Sequence, residues 1–161
     1  MSFLPVRSQR GLTLLELLIA LVIMSVLASV VLPFSEVTVR RTKELELQNA
    51  LRIIRTAIDE YKKSFDQAVL DNKIIKSAKE TGYPKQLEDL VVGSDFGGTY
   101  PYKKRFLRRI PKDPFDRNDL GWGLRSYADD LDAVAWGGED VYDVYSQSDG
   151  VALNGSNYRD W

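Results

Sequence analysis

The stretch that decides the fold is LTLLELLIALVIMSVLASVVLPF, residues 12–34. Of its 23 residues, 18 are apolar, and Glu16 is the single charged one. As a helix rising ~1.5 Å per residue, the stretch would measure about 35 Å, enough to cross a bilayer core of ~30 Å. A buried helix in a soluble domain rarely runs this long without a further charge. The stretch therefore predicts a transmembrane helix.

A short basic leader, MSFLPVRSQRG, precedes this helix at residues 1–11. Arg7 and Arg10 stand just before the apolar run, which favours a cytoplasmic location for this end of the chain. A secretory signal peptide would be cut after its apolar run, beside small residues, and residues 33–36 (PFSE) offer no such site. We therefore expect the apolar run to stay in the mature protein.

The composition excludes several kinds of chemistry. The chain has 161 residues and contains no cysteine and no histidine. Disulfides and thiolate ligands are therefore excluded, and the commonest general base is missing. Asp129 and Asp130 form a carboxylate pair, but adjacent residues rarely converge on one substrate bond and no nucleophile accompanies them. The sequence indicates a protein that is not an enzyme.

Residues 35–65 change to an amphipathic pattern. Apolar residues recur at helical spacing along one face: Leu47, Ala50, Leu51, Ile54, Ala57, Ile58 and Tyr61. The pattern predicts one helix from about Leu12 to about Ser64, with its second half covered by a small domain. We expect core packing along this stripe.

The remaining chain predicts a small domain of mixed structure. Residues 66–81 are polar and predict a second helix or an ordered loop, and residues 85–92 predict one or two helical turns. Two prolines in residues 110–115 (IPKDPF) predict a rigid turn. Short alternating patterns at 122–128 and 141–147 predict antiparallel strands. The expected fold class is α+β, with a long N-terminal helix packed on a small domain that contains a short antiparallel sheet.

The N-terminal residues carry a family resemblance. Residues 10–18, RGLTLLELL, are similar to the prepilin peptidase site of type IV pilins and type II secretion pseudopilins. The resemblance implies a cut between Gly11 and Leu12, methylation of the new amine on Leu12, and pairing of Glu16 with that amine in an adjacent subunit. It also implies a bend at Pro33. The alternatives are a loop residue at Gly11, a helix-start carboxylate at Glu16, and a membrane-exit marker at Pro33.

Motifs along the rest of the chain narrow the resemblance to the major pseudopilin of type II secretion systems. They are Tyr83-Pro84, Leu87-Glu88-Asp89-Leu90, Ile110-Pro111-Lys112-Asp113-Pro114-Phe115, Tyr142-Asp143-Val144-Tyr145-Ser146, Asp149-Gly150 and Trp161. Together with the leader and helix, they extend over nearly the whole chain. The resemblance implies a cleaved cytoplasmic leader (1–11), a transmembrane and filament-core helix (12–34) and a periplasmic pilin-like domain (35–161). It also implies a pilin-like fold.

The same resemblance implies a function and partners. The chain would polymerise with its own copies from the inner membrane into a pseudopilus that drives protein secretion. Minor pseudopilins, the prepilin peptidase, an inner-membrane assembly platform and an outer-membrane secretin would be its partners. Two alternatives stay open. One is a subunit of a type IV pilus-like surface filament for adhesion, motility or DNA uptake, and the other is a membrane-tethered binding module that does not polymerise.

The resemblance to major pseudopilins also implies a cofactor, a calcium ion. Their calcium loop corresponds to residues 146–161 here, with Asp149, Asn157 and Asp160 as its candidate ligands. An oxygen-rich loop suits Ca²⁺ rather than a transition metal. However, Asn157 stands where a second acid is expected, so a hydrogen-bonded turn without metal is the alternative.

Charge is unevenly distributed after the apolar run. Residues 35–112 hold 17 Lys and Arg against 11 Asp and Glu, whereas residues 113–161 hold 3 against 11. One interpretation is that both parts are simply solvated faces. The alternative is that the basic part contacts the acidic part of a neighbouring copy. The basic run of residues 103–109 also has interleaved aromatics, but we favour a solvated or subunit face there over nucleic acid binding.

Overall fold

The computed structural model describes residues 13–130, 132–133 and 135–161, and for residues 30–35 it describes the backbone alone. The elements, in chain order, are the α-helices α1 (Leu14–Leu70) and α2 (Asp89–Val92), the strands β1 (Trp122–Arg125) and β2 (Asp143–Ser146), and a 3₁₀ turn at Tyr158–Asp160. The predicted combination of a long helix with a short antiparallel sheet is confirmed. The chain divides into two units, residues 1–40 and 41–161.

Helix α1 has 57 residues and extends beyond the predicted end at Ser64. Its additional turn is stabilised by burial, because Phe65 and Ala68 pack with Phe96 in a small apolar cluster. The helix ends at Leu70, where the backbone N–H groups of the next residues turn back onto carbonyls of the last turn. Of the stretch 66–81, residues 66–70 therefore continue α1, and the rest forms turns and loop rather than a second helix.

The first unit contains the apolar beginning of α1. Every described side chain from residue 13 to residue 29 is exposed. Within the described residues, no helix contains a stretch that is both long and apolar enough to cross a membrane. The membrane segment predicted at 12–34 includes Leu12 and the side chains of residues 30–34, which lie outside the described part. That segment stays a prediction.

The second unit has its core on the predicted face of α1. Six of the seven predicted stripe residues are buried, with Tyr61 packed partly buried beside them: Leu47, Ala50, Leu51, Ile54, Ala57 and Ile58. They pack against apolar side chains from every later element, among them Leu90, Trp122, Val144 and Tyr158. The stripe at helical spacing was therefore correctly interpreted as core packing.

Strands β1 and β2 pair antiparallel, with Trp122 opposite Ser146 and Arg125 opposite Asp143. Both are shorter than predicted, because neighbouring backbone groups bond outside the ladder. The N–H of Ser126 donates to the Asp129 carboxylate at 2.7 Å, and the N–H of Val141 donates to the Pro84 carbonyl at 2.8 Å.

The two faces of β2 are both covered, so its alternating pattern produces no exposed face. Val144 and Ser146 are buried, and so is Tyr145 between them. The ring of Tyr145 lies against Gly123 so closely that a Cβ there would fall 2.3 Å from a ring carbon. Glycine at this position lets the aromatic ring cross the opposite strand.

A guanidinium on α1 ties the helix to the end of the chain. Arg55 donates to the Asp143 carboxylate on β2 at 2.7 Å, to the carbonyl of Val144 at 3.1 Å and to the carbonyl of Trp161 at 2.8 Å. The side chains of Arg55 and Asp143 are 39% and 24% exposed. Because the pair is half-buried and charged, each of these hydrogen bonds is stronger than a neutral surface bond.

Replacing Arg55 with methionine should lower the free energy of unfolding of the full-length protein by about 2–4 kcal/mol, because Asp143 and two carbonyls lose a shared donor. Thermal and denaturant unfolding in detergent, followed by near-ultraviolet circular dichroism, would measure the loss. Arg52→Met is the matched control, since Arg52 is exposed and bonds to Asn49 on its own helix at 2.9 Å. Equal losses from the two variants would contradict the role given to Arg55.

Candidate functional site

Of the predicted processing and assembly residues, the structure describes the side chain of Glu16 alone. Gly11 and Leu12 lie outside the described residues, and so does the side chain of Pro33, whose backbone belongs to α1. Glu16 is exposed in the first turn of α1, and its N–H donates to the hydroxyl of Thr13 at 3.2 Å. The processing and bending roles predicted for the other residues stay predictions.

Glu16 also has a local role at the start of α1, which the family resemblance does not imply. Thr13 caps α1, and Glu16 follows three residues later, the spacing of a capping box. A carboxylate in a first turn is also stabilised by the positive end of the helix dipole. This local role is compatible with the predicted pairing of Glu16 with a neighbour's amine, since the backbone N–H and the carboxylate are separate groups.

The surroundings of Glu16 are apolar and uncovered. Large apolar side chains between Leu14 and Leu27 are 51–81% exposed. A continuous exposed apolar surface of this kind requires cover from lipid or from other protein. The geometry of this segment therefore suits a helix that is shared with a membrane or with neighbouring helices.

The C-terminal loop, residues 147–161, is closed by short-range hydrogen bonds. Val151 and Asn157 form an isolated antiparallel bridge. The N–H of Ala152 donates to the carbonyl of Ser156 at 2.7 Å, and the N–H of Tyr158 donates to the carbonyl of Gly150 at 3.1 Å. These bonds fold the loop into a compact turn.

Tyr158 anchors this loop in the core. Its side chain is buried and stacks on Phe115, with ring centroids 4.0 Å apart. Gly150 lies beside this ring, and its φ is not in the left-handed region, so its backbone conformation does not require glycine. A Cβ on Gly150 would lie 2.8 Å from the Tyr158 ring, so the glycine is needed for close approach of that ring instead.

Glu44, which was not among the predicted site residues, connects α1 to the same loop. One carboxylate oxygen of Glu44 accepts from the N–H of Leu153 at 2.8 Å and from the hydroxyl of Tyr158 at 2.9 Å. A signal was present, because Glu44 lies three and seven residues before Leu47 and Leu51 on the apolar stripe. A carboxylate in line with a packing face indicates a specific partner on the domain that covers it.

The predicted rigid turn at residues 110–115 packs against the C-terminal loop through Phe115, which stacks on Tyr158. The buried carboxylate of Asp113 accepts from the N–H of Phe115 at 2.7 Å and from the hydroxyl of Ser146 at 2.5 Å. The indole N–H of Trp122 donates to the carbonyl of Pro111 at 2.8 Å. The turn thereby fixes the position of Phe115 under Tyr158 and ties both strands to it.

The candidate calcium ligands are bonded to protein groups. Asp149 accepts from the guanidinium of Arg159 at 3.0 Å, and the amide of Asn157 donates to Asp160 at 3.0 Å. Among the residues that the structure describes, no three His, Cys, Asp or Glu side chains are placed to hold one metal ion. The donor set does not fit calcium, because its one family-type carboxylate already faces a cation of the chain itself.

The acidic segment at residues 129–140 contains both hydrogen-bonded and exposed carboxylates. Asp129 accepts from the N–H groups of Ser126 and Gly137, and these bonds lower the pKa of its carboxyl. Asp140 is buried and accepts from the hydroxyl of Thr81 and the N–H of Tyr127. By contrast, Asp130, Asp132 and Glu139 are exposed.

The basic segment at residues 103–109 presents exposed charges that form no ion pair within the described part of the chain. Lys104 turns inward and donates to the hydroxyl of Ser64 on α1 at 3.0 Å. Its exposed neighbours make no ion pair with any described residue: Lys103, Arg105, Arg108 and Arg109. These four cations are available to an acidic partner.

Known proteins resemble this chain in two ways: one match is confined to the N-terminus, and the other covers nearly the whole chain. Residues 6–32 match the family described as the prokaryotic N-terminal methylation motif. The chain is 28% identical over 156 residues to the type II secretion system core protein G of Klebsiella michiganensis, and the match covers 96% of this chain and 94% of that protein. No solved structure matches the chain.

The two matches differ in type and in length. One is a short motif around the predicted cut, and the other extends over the helix and the domain that follows it. The resemblance drawn from the sequence is therefore confirmed, since the chain carries the prokaryotic N-terminal methylation motif and is similar to a type II secretion system core protein G over nearly its whole length.

Proposed function

We propose that this chain is a structural subunit of the pseudopilus that serves type II protein secretion. The observation that carries the proposal is its similarity to a secretion system core protein over 96% of its length, joined to a methylation motif at residues 6–32. The exposed apolar start of α1 supports the proposal, because such a helix is suited to packing among its own copies.

The subunit would work by exchanging one apolar environment for another. In the monomer, lipid would cover the start of α1, and in the filament, the same segments of neighbouring subunits would cover one another. Growth of this homopolymer at the inner membrane would push secreted proteins towards an outer-membrane secretin. Minor pseudopilins and an inner-membrane assembly platform are further partners that we propose from the family resemblance.

The proposed location is the inner membrane, crossed once, with the leader in the cytoplasm and residues 35–161 in the periplasm. Arg7 and Arg10 support this orientation, since positive residues beside an apolar segment favour the cytoplasmic side. The role is structural and not catalytic, in keeping with a chain that has no histidine and no cysteine.

Mass analysis of the mature N-terminus tests the proposal directly. We expect a chain that begins at a methylated Leu12. Gly11→Val should abolish this product, because a branched side chain obstructs the extended backbone that a peptidase must hold. The matched control is Ser8→Val, which changes the leader outside the cut and should mature normally. A Gly11→Val chain processed at the wild-type rate would exclude a prepilin-type peptidase, and wild-type protein that retains residues 1–11 would favour a membrane tether.

Glu16→Leu should leave membrane insertion intact and reduce filament yield at least tenfold. Leucine removes the cost of a carboxylate in lipid, which is several kcal/mol when unpaired, but it also removes the partner of a neighbour's amine. Electron microscopy and immunoblots of sheared filaments would measure the yield.

Thr13→Ala separates this role of Glu16 from helix capping. It removes the hydroxyl that accepts the Glu16 N–H and leaves the carboxylate in place. We expect Thr13→Ala to form filaments. If it fails as Glu16→Leu does, the carboxylate acts through the helix start and the pairing between subunits is wrong.

The unpaired cations of residues 103–109 should contribute to contact between subunits. Reversing Arg108 and Arg109 to Glu should weaken assembly, and a compensating change of Asp130 and Asp132 to Lys should partly restore it. The acid at Asp129 is left unchanged, because its carboxylate holds its own turn. One exposed ion pair contributes only ~0.2–1 kcal/mol, but the contact would recur at every subunit.

The matched control for this experiment reverses Lys76 and Lys79, two exposed lysines elsewhere in the domain. This pair changes the net charge equally and should leave filament yield unaltered. A combined variant that assembles no better than either charge reversal alone would show that the basic and acidic segments do not meet.

A further inference from the structure

The C-terminal loop carries a cation of its own where the family resemblance places a metal ion. The side chain of Arg159 reaches back over ten residues to the Asp149 carboxylate, with 3.0 Å between the nitrogen and the oxygen. Arg159 is 40% exposed and Asp149 is 92% exposed. A guanidinium neutralises a carboxylate and can bridge two parts of a loop, which are the two tasks of a structural cation.

The other two candidate ligands bond to each other within the loop. Asn157 offers a neutral amide where a second acid was expected, and that amide donates its N–H to Asp160. The carbonyls of Gly150, Ala152 and Ser156 each accept a backbone N–H from within the loop. Calcium prefers 6–8 oxygen ligands, usually including several carboxylates. To bind here, it would have to displace Arg159 and recruit carbonyls that already have partners.

The register of the loop is fixed by contacts that involve no metal. Glu44 holds the N–H of Leu153 and the hydroxyl of Tyr158, and Arg55 holds the carbonyl of Trp161. The indole N–H of Trp161 donates to the hydroxyl of Ser156 at 2.7 Å. These bonds position residues 153–161 against α1 and thereby place Arg159 opposite Asp149.

We infer that the guanidinium of Arg159 replaces a calcium ion in this chain, and that the loop at residues 147–161 folds independently of calcium. The inference goes beyond the proposed function, because a filament subunit could close this loop by either means. It predicts that assembly and stability are insensitive to chelators, although the relatives that the resemblance implies use a calcium loop.

Hydrogen exchange of peptides from residues 147–161, measured by mass spectrometry on the full-length protein in detergent, tests the inference. We expect the same exchange rates and the same melting temperature in millimolar calcium chloride and in chelator. Arg159→Gln and Asp149→Asn should each speed exchange in the loop about two- to fivefold, as expected for the loss of an exposed ion pair. The double variant should be no faster than either single one.

Arg117→Gln is the matched control, because Arg117 is exposed on a different segment and should leave exchange in the loop unchanged. Two results would overturn the inference. The first is a rise of about 5 °C or more in the melting temperature of the wild type with calcium, abolished by Asp149→Asn. The second is unchanged exchange in both single variants, which would show that the ion pair does not hold the loop. Neither measurement requires filaments, so failure here leaves the proposed function standing.

Discussion

The docking of the C-terminal segment on one face of α1 is the interaction on which the domain depends. Two charged groups frame this face, the carboxylate of Glu44 and the guanidinium of Arg55, and apolar residues lie between them. The apolar residues supply most of the free energy through burial, but burial has no direction. The two charged groups add direction, because each one must meet specific donors or acceptors of the last residues of the chain. A small domain on a single helix is thereby held in one register.

The same helix leaves its apolar beginning exposed. Because residues 13–29 present apolar side chains on all sides, no single partner surface of a small domain could cover them. Lipid can cover every side of a helix, and so can a ring of identical helices. The chain thus combines two kinds of surface. On one face of α1, charged groups determine which residues dock there and in which register. At the start of α1, the apolar side chains require cover but do not select a particular partner. A subunit that must pass from a membrane into a filament needs this combination, since only an undirected apolar surface can exchange one cover for the other.

Periodicity and local motifs predicted much of this architecture. The spacing of Leu47, Leu51, Ile54 and Ile58 predicts a helix with one buried face, and the structure confirms it. The prolines in the 110–115 turn predict rigidity, because each proline fixes its own φ angle and restricts the residue before it. What the sequence could not supply were pairings across the chain: Arg55 meets Asp143 over 88 residues, and Glu44 meets Leu153 over 109. Such partners follow from tertiary packing, and no local pattern encodes them.

The candidate metal loop shows why a motif can be right about location and incomplete about chemistry. The resemblance placed Asp149 in a loop that must be closed, and the structure does close it there. A carboxylate in such a turn can be balanced by a positive partner, and electrostatics does not dictate whether that partner is an ion or a side chain. With Asn157 in place of a second family acid, the loop carries less negative charge, and one guanidinium can balance Asp149. Arg159 supplies that partner from within the chain, because it directly follows the buried Tyr158, where the backbone is already fixed.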